Sequence, residues 1–140
     1  MNARRAFARR LESLAEMAAF TAASLPQHAV DAEQRMTVDF AIEELFTNML
    51  KYSRSGASRV EIALECGSGS VAVSLMDSDV EPFDVTAAPQ ADVGLPLQQR
   101  EPGGLGLHLL RRLVDELNYE YRAATRESRI RFRVPCRRPT

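Results

Sequence analysis

The sequence predicts an α/β sandwich, with helices packed on one face of a mixed, mainly antiparallel sheet. Three observations lead there. Two long segments with apolar residues at helical spacing come first, and a third lies near the C-terminal end. Shorter segments of alternating apolar and polar residues occur in pairs, as hairpins require. The resulting order (helix, helix, strands, loop, helix, strands) lets neighbouring strands pair while the helices cover one side. With 140 residues the chain fits one domain, residues 1–140, large enough for a single core.

Leu11–Leu25 places Leu11, Leu14, Ala15, Ala18, Ala19 and Ala22 on one helical stripe, and Pro26 ends it. These apolar residues serve either the core or a dimer contact. Asp31 is a suitable N-cap for a second helix over Ala32–Tyr52, whose stripe is Val38, Ala41, Ile42, Leu45, Phe46 and Met49. Turn formers at Ser53–Gly56 stop it. Arg59–Cys66 and Val71–Met76 alternate as strands, joined by a hairpin turn at Gly67-Ser68-Gly69. Asp77–Pro102 shows no periodicity and carries four prolines, the mark of a functional loop or lid. A third helix over Leu105–Leu117 opens at Gly103-Gly104. Tyr119–Ala124 and Arg129–Val134 form a closing hairpin, with Ile130, Phe132 and Val134 facing opposite to Arg129, Arg131 and Arg133.

Composition excludes several classes. Eighteen Lys and Arg against nineteen Asp and Glu leave a formal charge of −1, so no global field draws nucleic acid or an anionic membrane. No apolar run approaches the ~20 residues that span a bilayer. The basic start, Asn2–Arg10, lacks the apolar core of a signal peptide, because Glu12 and Glu16 interrupt it. Cys66 and Cys136 have no pairing or metal motif and read as reduced, structural thiols in a cytoplasmic protein. His28 and His108 have no metal-ligand companions and read as packing or surface residues. Arg126, Arg129, Arg131, Arg133, Arg137 and Arg138 make a basic end, read as a solvated sheet face and tail.

Three features carry chemistry. At about 100° per residue, Glu44, Asn48 and Lys51 fall within about 60° of one another, beside the apolar stripe of the second helix. An amide oxygen is a hard ligand for Mg²⁺, a carboxylate can orient or deprotonate a nucleophile, and an ammonium neutralises phosphate. Taken alone, the same triplet also suits a solvated helix flank. Gly103-Gly104-Leu105-Gly106 opens the third helix, where glycines let backbone N–H groups approach an anion favoured by the helix dipole. It is neither a P-loop nor a Rossmann turn, for no Gly-Lys-Ser/Thr follows and no strand leads into it. Asp77, ending a strand, could accept a hydrogen bond from an adenine amino group, or be an ordinary strand-terminating acid.

In combination, Glu44-Leu45-Phe46-Thr47-Asn48-Met49-Leu50-Lys51-Tyr52 resembles the N-box of the GHKL, or Bergerat-fold, ATPases and kinases. Asp77 with Pro82-Phe83-Asp84 resembles their acidic box. Gly103-Gly104-Leu105-Gly106-Leu107-His108-Leu109-Leu110-Arg111-Arg112-Leu113 resembles their glycine-rich box. The spacing, the small size and Pro96-Leu97-Gln98-Gln99-Arg100-Glu101-Pro102 are most similar to the anti-sigma-factor serine/threonine kinases. The resemblance covers Ala32 to Val134, with residues 84–102 as the lid.

This resemblance implies a histidine kinase-like ATPase fold that binds ATP and Mg²⁺. It implies Glu44 as catalytic base, Asn48 as Mg²⁺ ligand, Asp77 on the adenine amino group, and Gly104 and Gly106 at the phosphates. Lys51 and Gly103 belong to the same nucleotide site, and charge alone adds Arg100, in the lid, for the γ-phosphate. The implied activity is phosphorylation of a STAS-type anti-anti-sigma protein in a bacterial partner-switching pathway, with a sigma factor as second partner and a homodimer as assembly. One departure stands out. The family carries Asp-x-Gly where this chain has Asp77-Ser78-Asp79, and a register set from Pro82-Phe83 puts Ser78 and Val80 in those positions instead. Either substitution would weaken or exclude ATP, which leaves open a nucleotide-free, protein-binding switch module without kinase activity. The catalytic half of a two-component histidine kinase, acting in trans, is a more distant reading.

Overall fold

The computed structural model describes residues 2–52, 59–67, 69–82 and 104–136. The described elements run β1 (Asn2–Ala8), α1 (Ser13–Ser24), α2 (Ala32–Tyr52), β2 (Arg59–Gly67), β3 (Ser70–Asp77), α3 (Gly104–Leu113), β4 (Asp115–Arg122) and β5 (Glu127–Pro135). The five strands form one sheet in the order β1-β2-β3-β5-β4. Every pairing is antiparallel, so the expected mixed sheet is an antiparallel one. A parallel pair would need a crossover between neighbours. Here α3 instead carries the chain from β3 past β5 to β4, and β5 returns beside β3. The predicted lid, residues 84–102, lies outside the described residues.

Alternation decides which sheet face is covered. Val60, Ile62 and Leu64 of β2, Val71, Val73 and Leu75 of β3, and Ile130, Phe132 and Val134 of β5 are all buried. Against them lies the whole predicted stripe of α2: Val38, Ala41, Ile42, Leu45, Phe46 and Met49 are each buried. Leu107 and Leu110 of α3 join the same core. The opposite face carries Arg131 and Arg133, 3.7 Å from Glu120 and 3.3 Å from Glu116. Exposed pairs of this kind contribute little, ~0–1 kcal/mol each. Gly67 pairs with Ser70, and Gly69 takes φ 73°, the left-handed conformation that a tight hairpin asks of a residue without Cβ. No helix among the described residues is long and apolar enough to cross a membrane.

Three expectations need correction. The basic start, to which the sequence assigned no element, is an edge strand, β1, paired with β2 from Asn2↔Glu65 to Ala8↔Arg59. Its strand character is supplied by β2. Of its own residues Phe7 alone is fully buried, edge-to-face with Phe20 at 5.6 Å and under the Arg5 guanidinium at 4.9 Å. The buried side of α1 is Ser13, Met17 and Thr21, with Leu14 and Phe20 packed beside them, whereas Ala15, Ala18, Ala19 and Ala22 are exposed and Leu11 is 59% exposed. Met17 and Phe20 bury far more area than alanines, so the larger side chains set the face. The third helix stops at Leu113 rather than Leu117: Asp115 to Leu117 begin β4. Glu116, at φ 53°, sits where the β4–β5 register shifts between Asp115 and Asn118. A left-handed residue cannot continue a right-handed helix.

A reciprocal cap fixes the start of α2. Asp31 Oδ1 accepts from the Gln34 backbone N–H at 2.8 Å, and Gln34 Oε1 accepts from the Asp31 N–H at 3.1 Å. This is a capping box with Gln in its third position. Gln34 is 2% exposed, and its Nε2 also donates to Val134 O at 3.2 Å and Gly69 O at 3.4 Å. One amide thus caps the helix and ties it to the sheet. Gln34→Ala should cost about 2–3 kcal/mol in urea unfolding, from the lost cap and the buried carbonyl left short of a donor. A cost under about 0.5 kcal/mol would show that the capping box does not hold this junction.

Candidate functional site

Helix α2 has two working faces. The apolar stripe lies on the sheet, and the adjacent edge, with Glu44 and Asn48, faces α3. Asn48 is 3% exposed, so the flank is not solvated at that position, whereas Lys51 on the same flank is exposed. Its Nδ2 donates to Glu44 O at 2.6 Å and to Glu44 Oε1 at 3.0 Å. Both bonds are donated by Nδ2 back to Glu44, so neither engages Oδ1. Among the described residues that buried oxygen has no hydrogen-bond partner. An orphaned buried acceptor is costly unless something completes it.

Across from this edge stands α3. A Cβ built on Gly106 would fall inside contact distance of Glu44 Oε1, Oε2 and Cδ, so the carboxylate lies directly against the α3 backbone. The absence of a side chain at Gly106 is what permits this approach. Gly104 begins the same helix. Gly103 and Arg100 lie outside the described residues. Burial pushes the Glu44 carboxyl above its ordinary value of 4.5. The Asn48 hydrogen bond opposes that shift, Glu43 adds to it, and Lys51 opposes it. Lys51 is exposed in the last turn of α2 and acts on Glu44 through its charge.

Asp77 ends β3 in a different setting. Its side chain is 1% exposed and paired with the Arg9 guanidinium, itself 8% exposed. Arg9 Nη1 donates to Asp77 Oδ2, the Ser78 N–H donates to Oδ1 at 3.1 Å, and Arg9 Nη2 donates to Met49 O at 3.1 Å. Burial raises the Asp77 carboxyl above its ordinary value, while Arg9 and the Ser78 amide pull it back only in part. Arg9 was not legible as a site residue: 68 positions separate it from Asp77.

The departure from Asp-x-Gly has a structural answer. Asp79 takes φ 56°, the left-handed conformation that glycine adopts freely and Asp tolerates better than most residues. Its carboxylate turns to Arg126 at 3.1 Å. Val80 is buried, its N–H donating to Arg126 O at 3.1 Å and its carbonyl accepting from Tyr121 Oη at 2.8 Å. Residues 79–81 are therefore clipped to the β4–β5 turn. Neither His28, which is exposed, nor His108 belongs to a metal cluster, and no metal-binding cluster of His, Cys, Asp or Glu occurs among the described residues. Cys66 and Cys136 are both free thiols. Cys136, against expectation, is exposed, where its Sγ donates to Asp31 Oδ2 at 3.0 Å.

This fold and site agree with a family comparison: residues 7–134 match the histidine kinase-like ATPase domain. The chain belongs to that family, whose domains bind ATP, typically with Mg²⁺. No curated protein matches the chain. The residues present fit the ion. A buried amide oxygen without a partner among the described residues, one turn from a carboxylate that lies against a glycine-bearing helix, is a donor set that suits Mg²⁺ held mainly by phosphates and water.

The raised Glu44 carboxyl has a measurable sign. The folded protein holds this proton more tightly than the unfolded chain, so the associated stability is complete below 4.5 and is lost as pH rises through the folded value. Glu44→Gln, which keeps the acceptor for Asn48, should match the wild type at low pH and become progressively more stable than it as pH rises. Urea melts of both proteins from about pH 4 to about pH 8 check this. Parallel curves would show that Glu44 is not desolvated.

Proposed function

We propose that this domain is an ATP-dependent serine-protein kinase and anti-sigma factor, acting on a STAS-type anti-anti-sigma protein in a bacterial partner-switching pathway. The observation that carries the reading is the Glu44–Asn48 pair set against Gly106. Glu44 is partly desolvated and oriented by Asn48, as a base for a serine hydroxyl should be. In the proposed step the hydroxyl oxygen bonds to the γ-phosphorus of ATP, the bond to the β–γ bridging oxygen breaks, Glu44 takes the proton, and ADP leaves. Asn48 would hold Mg²⁺ through Oδ1, and the ion would supply charge neutralisation at the phosphates. Gly104 would admit the phosphates to the α3 backbone, and Gly106 would do so once the Glu44 carboxylate that lies against it swings toward the substrate hydroxyl, with Gly103, Lys51 and Arg100 adding N–H groups and positive charge. Asp77 would take the adenine amino group. A cytoplasmic homodimer that also sequesters a sigma factor completes the proposal.

One observation favours a second reading, a nucleotide-free protein-binding switch: Asp77 is already engaged by Arg9. Calorimetry with ATP and Mg²⁺ separates the two, since measurable affinity excludes the second.

Incubation with γ-labelled ATP and a cognate STAS protein tests the kinase. Glu44→Gln should lower label transfer by about 10²–10⁴-fold while largely retaining nucleotide binding. Gly106→Ala should lower it too, because its Cβ displaces the Glu44 carboxylate. That carboxylate ends a flexible side chain, so the fold should lose no more than about 1 kcal/mol. Nucleotide binding without any transfer by the wild type would remove the kinase assignment.

A further inference from the structure

We infer that Arg9 is a latch on the base pocket: its guanidinium and the base of an adenine nucleotide compete for the Asp77 carboxylate, so that nucleotide binding releases the corner between β1 and α1. The inference rests on the reading of Asp77 as the base-binding carboxylate.

Both Asp77 oxygens are engaged, Oδ2 by Arg9 and Oδ1 by the Ser78 N–H. An adenine amino group is a neutral donor, so its bond to the carboxylate lacks the ion-pair attraction that the guanidinium adds. A carboxylate oxygen can accept two hydrogen bonds, but at 1% side-chain exposure Asp77 leaves a base no open approach while the guanidinium lies against Oδ2. The exchange is nevertheless within reach of a nucleotide. A buried ion pair sits near break-even, because desolvation offsets most of its attraction. Here the Asp77 carboxyl stays above its ordinary value even with Arg9 against it, so the pair does not fully offset the burial of the acid. Contacts to the phosphates, made elsewhere on α2 and α3, can supply what the base alone lacks.

Position gives the latch its consequence. Arg9 directly follows β1, which among the described residues pairs with β2 alone and forms one edge of the sheet. Its second nitrogen holds Met49 O in the last turn of α2, so one side chain joins the β1–α1 corner, the end of β3 and the helix that carries Glu44 and Asn48. The corner is also pinned locally, by Arg10 N–H to Ala8 O at 2.9 Å and Ser13 Oγ to Ala8 O at 2.7 Å. Removing the guanidinium leaves those short-range bonds but cuts the link to the site. Edge strands held by one neighbour open at low free-energy cost, and β1 is thus the element that nucleotide should loosen.

Calorimetry with ADP and Mg²⁺ on the whole chain, alongside hydrogen exchange of the β1 amides, tests the latch. Arg9→Met should bind about tenfold tighter than the wild type, the penalty of a competent state populated about one-tenth of the time. Saturating ADP should speed β1 exchange in the wild type and leave it unchanged in Arg9→Met. Equal affinities, or weaker binding by a folded Arg9→Met, overturn the latch while leaving the nucleotide site intact. No binding by any folded protein overturns both. If Arg9→Met fails to melt cooperatively, Arg9→Lys replaces it, keeping the charge but losing the fork that spans Asp77 and Met49. Binding tighter than wild type then supports the latch, and equal binding overturns it.

Discussion

Helix α2 has to satisfy two neighbours at once, and the close approach of α3 to its polar edge is where the structure converges. Its apolar stripe is spent on the sheet, which leaves Glu44 and Asn48 beside the core, neither immersed in it nor free in water. Only a backbone without a side chain can lie against the Glu44 carboxylate, and Gly106 provides it. One turn along α2, Asn48 directs its amide protons to Glu44 and keeps a buried Oδ1 without a partner among the described residues. A larger residue at 106 would set the helices apart or push the carboxylate aside, and the pair would lose its geometry. The capping box at Asp31 and Gln34 serves the same arrangement from the other end, fixing where α2 starts and anchoring it to β5.

At the end of β3, packing and recognition compete. A carboxylate placed there is useful to a nucleotide base only if it is available, yet at 1% side-chain exposure it needs a partner for the folded chain to tolerate its charge. Arg9 meets the second demand at the expense of the first. A charged residue just beyond an edge strand is well suited to that position, since it can leave without dismantling the core. The missing box glycine matters less than its absence from the sequence implies. Asp79 reproduces the left-handed backbone, and its carboxylate is drawn off to Arg126, away from Asp77.

Helical periodicity and alternation made most of the fold legible. The α2 bounds, its six-residue stripe, the β2–β3 hairpin and the inward face of β5 all appear as read, because each is dictated by neighbours within a few residues and by one buried face. Three features escaped. β1 has weak strand character of its own and exists because β2 offers it an edge. The face of α1 was misread because counting alanines ignores that Met17 and Phe20 bury more area. The end of α3 was missed because the chain from Asp115 onward pairs with β5 as a strand, which helical periodicity does not foresee.

For the site, the division runs along the same line. The sequence by itself determined which groups could act: a carboxylate and an amide one turn apart, glycines at a helix start, an acid at a strand end. Spacing along one helix is a local property, so Glu44 and Asn48 were fixed as neighbours before any fold was known. Tertiary structure decided what each of them meets: Gly106 against Glu44 across 62 positions, and Arg9 against Asp77 across 68. Such pairings depend on how elements dock, and docking is set by the summed burial of a whole core rather than by any residue's own preferences.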